Sequence, residues 1–225
     1  MDKHIKIVGA ALVAGGLLMF IRMAPVIAIV PDDMAFPPAN TEELVRLAGL
    51  AGWRWQLSHS MALVAVCFFV TAYGWHVKYL LQQGRKRIAF AVALAASLAF
   101  GLLSIALVID GFVVPTTISN YVSLEDVAGS HELALRFFTP AMFFLFVSIG
   151  VLSSPMLHRT FHARWLGVIG QIIAVVAVTA YLTGVAGPNW SNMQIGGSLM
   201  LAAFIWHILL GARAMRGLRG SGRWS

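Results

Sequence analysis

Four ionisable residues inside long apolar stretches are the first candidates for chemistry: Arg22, His59, Asp110 and His131. An ionisable side chain buried in a membrane span is costly, so its presence there indicates a working site or a structural pair. His59 and Asp110 form the candidate catalytic pair, acting as a general base with its partner or as a proton relay. Arg22 is expected to pair with Asp110, because each charge would otherwise be uncompensated.

Imidazole and carboxylate groups also bind metals, which gives the same residues a second interpretation. His59 and His131, with Asp110, could hold a divalent metal ion, or one histidine could ligate haem iron. The segment from Gly52 to Ser60 resembles the start of the haem-ligand helix of styrene oxide isomerases, and no residue role is carried over from this short segment. The cofactor is therefore left open between a divalent metal, haem and none.

Several neighbouring polar residues extend the candidate site from catalysis to ligand binding. The candidate ligand-binding residues are Arg22, His131, Glu132, Arg136 and Gln194, with Asn189 and Asn192 as further lining residues. The competing interpretation is structural, because polar groups near a helix end reach water at modest cost and also hold helices together. The chain has no P-loop, G-x-S-x-G, H-E-x-x-H or G-x-G-x-x-G motif.

The composition identifies the environment that must position these residues. Hydrophobic residues make up 59% of the 225 residues and charged residues only 11%, against about 25% charged residues in a soluble domain. The surface must therefore face an apolar solvent, the lipid bilayer. The net charge of +7 is not arranged as a basic stripe with interleaved aromatic residues, so nucleic-acid binding is not expected. Cys67 stands alone in an apolar run and is expected to be a small buried side chain.

We predict an all-α fold, a single domain over 1–225 built as a polytopic bundle of six transmembrane helices. A spanning helix needs about 20 apolar residues. The predicted spans are 5–30, 55–81, 88–114, 131–154, 165–182 and 194–215, and the connections on one side are 31–54, 115–130 and 183–193. Within the first of these connections, Thr41 is the predicted N-cap of a short amphipathic helix.

Charge asymmetry orients the predicted bundle. Most lysines and arginines fall at the termini and in the two short connections around 82–87 and 155–164, whereas the other connections are acidic. By the positive-inside rule, both termini are cytoplasmic and the acidic connections are external. This orientation predicts a multi-pass protein of the bacterial inner membrane, with the candidate site in the outer half. Trp53 and Trp55 are then anchors at the outer interface.

Two short sequence matches indicate an internal duplication. Ser58–Leu63 and Ser130–Leu135 share the pattern S-H-x-x-A-L, and the third and fifth spans both end in a Gly-containing segment followed by proline. We interpret these as a duplicated two-helix hairpin, with spans two and three repeated as spans four and five.

Three functions are compatible with this sequence. The first is a membrane-embedded protein or enzyme that binds a small apolar or amphipathic ligand at the His/Asp/Arg pocket; whether it is an enzyme is left open. The second is a non-catalytic accessory or assembly subunit of a larger membrane complex, bound to another membrane protein or to a second copy of this chain. The third is a proton-coupled transporter, against which the low polarity at mid-depth counts.

The predicted orientation can be tested by labelling with a membrane-impermeant maleimide. Single cysteines are introduced by Asp32→Cys and Gln83→Cys in a Cys67→Ala background. We expect the Asp32→Cys protein to be labelled in spheroplasts, and the Gln83→Cys protein only after the membrane is permeabilised. Labelling of both positions from the same side would contradict the six-span topology.

Overall fold

The computed structural model describes residues 2–34, 38, 40–120, 123–157, 164–186 and 190–216, with the side chains of residues 2–4 and 190–194 left out. Within these ranges the chain is all helical and contains no strand. The helices are α1 (Asp2–Ile21), α2 (Ala24–Ile27), α3 (Thr41–Ala51), α4 (Trp53–Gln82), α5 (Lys86–Val108), a π-helical turn (Ile109–Val113), α6 (Val114–Ser119), α7 (Leu124–Ser153), a 3-10 turn (Ser154–Leu157), α8 (Arg164–Leu182) and α9 (Trp190–Arg216).

The described residues contain six helices long and apolar enough to cross a membrane, which confirms the predicted number of spans. They are Ile5–Ile27, Trp53–Gln82, Lys86–Ser119, Leu124–Leu157, Arg164–Leu182 and Ile195–Arg216. Apolar side chains such as Phe90 and Val175 are well exposed along them, as expected for helices surrounded by lipid. The third and fourth spans are longer than predicted, because polar helical turns extend beyond the apolar stretch that marked each span in the sequence.

The fourth span begins at Leu124 rather than at 131. Ser123 caps the helix, and its Oγ accepts a hydrogen bond from the Asp126 backbone N–H at 3.3 Å. Acidic residues in the first turn favour a helix start by interacting with the helix dipole. The polar turns up to Ser130 therefore belong to the helix, although they contribute no hydropathy signal.

The six spans contact one another in chain order, and the first also contacts the sixth. Thus α1 packs on α4, α4 on α5, α5 on α7, α7 on α8 and α8 on α9, and α9 returns to α1. Large aromatic side chains fill the interior of this ring; Phe69, for example, stacks between Phe100 and Phe204. Cys67 is exposed on the outside of α4, so the expectation that it is buried was wrong.

Small residues allow α1 and α9 to approach closely. A Cβ on Gly211 would lie 2.5 Å from the carbonyl oxygen of Gly9, and a Cβ on Gly16 would collide with the side chain of Ile208. Because lipid provides little hydrophobic drive for helices to associate, such close van der Waals packing contributes much of the association energy.

The short helix α3 covers one end of the bundle, which we call the Asp110 end. It contacts α4, α6 and α7, and its buried face of Leu44, Leu47, Ala48 and Ala51 packs with Val26, Met34 and Trp55. The amphipathic helix was predicted correctly, but its N-cap is Asn40 rather than Thr41: the Asn40 side chain accepts a hydrogen bond from Glu43 N–H at 2.9 Å.

On the exposed side of α3, Arg46 donates two hydrogen bonds to Asp33, at 2.9 and 3.3 Å. These bonds hold the pKa of the Asp33 carboxyl below its usual range. Both side chains are more than half exposed, so the pair contributes little to stability. The pair is a matched control for the buried site.

The close contact between α1 and α9 can be tested with Gly211→Ala. The added methyl group has no space beside Gly9, and overpacking of this kind costs about 1–3 kcal/mol. We expect a lower unfolding temperature in detergent than for Gly74→Ala, because a Cβ at Gly74 meets no atom within 4 Å. Equal unfolding temperatures for the two variants would contradict this packing.

Candidate functional site

The candidate site is built from three spans that lie side by side at the Asp110 end. The first turns of α4 carry Trp55 and His59, the π-helical turn carries Asp110, and the first turns of α7 carry His131. The π-helical turn contacts both α4 and α7, which brings the two histidines to opposite sides of one carboxylate.

Both oxygens of the Asp110 carboxylate are hydrogen bonded to imidazoles. His59 Nε2 lies 3.0 Å from Oδ2, and His131 Nδ1 lies 2.8 Å from Oδ1. Both imidazoles are buried, whereas 22% of the Asp110 side chain is exposed. The structure therefore brings together three of the four residues from which the sequence analysis started.

The second nitrogen of His59 also faces an acceptor. Its Nδ1 lies 2.8 Å from the carbonyl oxygen of Trp55, one turn earlier in α4. A carbonyl oxygen can only accept, so Nδ1 must carry a proton to make this bond. His59 is thus held between two oxygen atoms, and the proton on its Nε2 side is shared with Asp110.

Trp55 belongs to the site, although the sequence predicted only that it anchors the helix at the membrane interface. Its indole Nε1–H donates to the backbone carbonyl of Asp110 at 2.8 Å, and its ring lies 5.1 Å from the His59 ring, centroid to centroid. The same side chain packs against α3. Trp55 therefore connects the covering helix, the imidazole and the π-helical turn, and the spacing of four residues to His59 was the available signal.

The π-helical turn presents Asp110 at the required angle. The Val114 N–H bonds to the Ile109 carbonyl, five residues back rather than four. Such turns are uncommon and occur often at functional sites. Gly111 then faces His59 directly: a Cβ there would collide with the His59 Cβ and lie 2.7 Å from its Cγ. Only glycine allows the two helices to approach this closely.

The expected pair between Arg22 and Asp110 does not form. Arg22 lies in the turn between α1 and α2, and its neighbour Met23 contacts Ser58, the residue before His59 on α4. However, no hydrogen bond or ion pair joins these two described residues, and the carboxylate oxygens bond to the two histidines instead. The prediction of a direct pair was wrong.

Of the remaining predicted ligand-binding residues, Glu132 and Arg136 do not join the cluster. Arg136 donates to Glu132 at 2.8 Å one turn along α7, and both side chains are well exposed. Gln194 and Asn192 lie on α9 with side chains outside the described part of the chain, and Asn189 lies outside the described residues altogether. Within the described part of the chain, the site consists of Trp55, His59, Asp110, Gly111 and His131, with Arg22 on the neighbouring segment.

The His59–Asp110–His131 cluster is not arranged as a preformed metal site. Among the described residues, no three His, Cys, Asp or Glu side chains are arranged to hold a metal ion. Both nitrogens of His59 already contact acceptor oxygens, so ligation by His59 would require one of these bonds to break. The divalent-metal and haem interpretations thus gain no support from the geometry.

A second buried polar group lies in the other half of the bundle. The Tyr73 hydroxyl is 2.9 Å from His207 Nε2, and Ser148 Oγ lies 3.4 Å from the same hydroxyl. His207 Nδ1 bonds to the Ala203 carbonyl at 2.7 Å, which fixes the proton on Nδ1 and makes Tyr73 the donor to Nε2. This neutral group links α4, α7 and α9 across the interior of the ring.

No protein-family model, curated protein or solved structure matches the chain.

The hydrogen bonds of Asp110 can be tested with Asp110→Asn. An amide offers one acceptor oxygen to two imidazole donors and removes the charge, so we expect a loss of about 1–3 kcal/mol of stability. Thermal unfolding in detergent should show a clearly lower transition temperature. Asp33→Asn, the same change in an exposed pair, should have little effect. Similar losses in both variants would show that Asp110 is not a central bonding group.

Proposed function

We propose that this chain is a multi-pass protein of the bacterial inner membrane that binds a small ligand at the His59–Asp110–His131 cluster. The positive-inside rule supports cytoplasmic termini and an external Asp110 end. In this orientation α3 lies at the outer surface, and the ligand reaches the cluster from the outer leaflet or the periplasm. The two S-H-x-x-A-L matches support a duplicated hairpin as the origin of the two histidines.

The observation that carries this proposal is the convergence of two histidines, from two helices, on one carboxylate. A membrane protein that only needs to join helices can do so with small residues and neutral hydrogen bonds, as the Gly9–Gly211 contact and the Tyr73–His207 bond illustrate. Three ionisable groups at one point are a costly alternative. Their cost favours a working site over a purely structural one.

The His59–Asp110 pair has the geometry of a general acid–base pair. Its shared proton can reside on His59 Nε2 or on Asp110 Oδ2, across 3.0 Å. The pair can therefore take up a proton from a bound molecule or supply one to it. Trp55 and His131 are positioning residues, because they bond to the pair and hold it in place. Whether bound ligand is also transformed is decided by experiment.

The apolar region between the two polar groups weighs against the transporter alternative. His59 and Tyr73 lie on the same helix, about 21 Å apart along its axis at about 1.5 Å per residue. The buried residues of α4 between them are Ala62, Ala65, Val66, Phe69 and Ala72. None of these side chains can carry a proton. An accessory subunit, bound to another membrane protein or to a second copy of the chain, remains the second proposal.

The proposal is tested by thermal-shift titration of the detergent-solubilised protein with three amphipathic probes: decanoate, decylamine and decanol. Binding at one hundred times Kd stabilises a protein by about 2.7 kcal/mol, which raises the unfolding temperature by several degrees. We expect at least one probe to stabilise the unmodified protein and not a monodisperse Asp110→Asn variant. Asp33→Asn should respond like the unmodified protein.

Two outcomes would refute the ligand site. One is the absence of a shift with all three probes, and the other is an equal shift in the Asp110→Asn protein. An absorption spectrum and metal analysis of the purified chain test the cofactor interpretations independently. A haem band or a stoichiometric metal that disappears in His59→Gln would replace the acid–base proposal.

A further inference from the structure

The hydrogen bonds determine the net charge of the His59–Asp110 pair. If Asp110 is ionised, His59 carries protons on both nitrogens, and the charges of imidazolium and carboxylate cancel. If the proton lies on Asp110, both groups are neutral, with His59 Nδ1–H still bonded to the Trp55 carbonyl. The pair is neutral in either arrangement, wherever the shared proton resides.

The third member of the cluster adds no negative charge. His131 faces Asp110 Oδ1 through Nδ1 at 2.8 Å, and an imidazole is either neutral or positive. The cluster as a whole therefore has a charge of zero or above. A cation beside the cluster therefore meets no net negative charge there, although the cluster contains the Asp110 carboxylate.

Arg22 is such a cation. It follows the last residue of α1, and its neighbour Met23 accepts a hydrogen bond at Sδ from Ser58 Oγ at 3.2 Å, next to His59 on α4. Arg22 is only partly exposed, and its guanidinium forms no hydrogen bond or ion pair with any described residue. Two acids at this end are already paired, Asp33 with Arg46 and Glu132 with Arg136.

We propose that Arg22 binds the anionic head of an amphipathic ligand, a carboxylate or phosphate on an apolar tail. This inference rests on the proposed ligand site and specifies its substrate class. The guanidinium fork fits two oxyanion oxygens, and such charge-assisted bonds are strong where water is scarce. The tail remains among the acyl chains around α1, and the head lies beside the His59–Asp110 pair, within reach of its shared proton.

The same chemistry is available from a free amphiphile and from an anionic lipid headgroup, and two measurements separate these sources. The first compares the thermal-shift titrations of decanoate and decanol in neutral detergent. The second counts phosphatidylglycerol molecules retained on the protein by native mass spectrometry, after extraction from nanodiscs that also contain phosphatidylcholine.

For the free amphiphile we expect decanoate to bind at least tenfold more tightly than decanol, and Arg22→Gln to remove this preference. Arg22→Lys should preserve part of it, since the charge remains but the fork is lost. Arg46→Gln, the same change at an exposed arginine, should leave it intact. For a lipid headgroup, Arg22→Gln should instead lower the number of retained phosphatidylglycerol molecules, and Arg46→Gln should not.

Either pattern supports the inference and identifies the source of the anion. It is overturned if decanoate and decanol bind equally and phosphatidylglycerol retention is also the same in both arginine variants. It is equally overturned if neither anion binds the unmodified protein. Equal binding of decanoate and decanol that is lost in Asp110→Asn would remove the role of Arg22 and leave the ligand site itself supported.

Discussion

The Asp110 end is organised by one requirement: a carboxylate largely removed from water must have its charge and both oxygens satisfied. His59 and His131 meet that requirement from two helices. The position of Trp55 follows, because its carbonyl accepts the second proton of His59 and its indole bonds to the backbone of Asp110. The cover provided by α3 follows in turn, since it packs against Trp55. Removing the carboxylate would leave both imidazoles without the acceptor that they share.

The spans could be predicted from the sequence because lipid imposes a simple rule: a helix long and apolar enough to cross appears as an uninterrupted hydrophobic run. The rule gives no information about polar turns that extend a helix beyond its apolar run. The start of α7 at Leu124 and the continuation of the third span to Ser119 depend on capping and backbone hydrogen bonds. The N-cap of α3 was misplaced by one residue for a related reason: Asn40 and Thr41 are both good caps, and residue type alone does not decide between them.

Only the ionisable residues of the site could be predicted, because the prediction depended on the cost of burying a charge. That cost singled out His59, Asp110 and His131, which do converge. It also favoured a direct Arg22–Asp110 pair, which was wrong because the sequence does not reveal that two imidazoles bond to the carboxylate instead. Trp55 and Gly111 carry no charge, so the cost of burying charge does not identify them. Their roles depend on contacts between segments far apart in the chain, and on a turn whose hydrogen bonding leaves no clear sequence pattern.

The π-helical turn at Ile109–Val113 has a consequence for how such a site can arise. A hydrogen bond that spans one residue more than the α-helical repeat is equivalent to a one-residue insertion. Loss of a single codon there would restore regular helix and rotate the carboxylate by about 100° relative to the helix that precedes it. The bundle could retain its packing while the carboxylate turned away from both imidazoles. Chains with this same architecture could therefore acquire or lose the site in one genetic event.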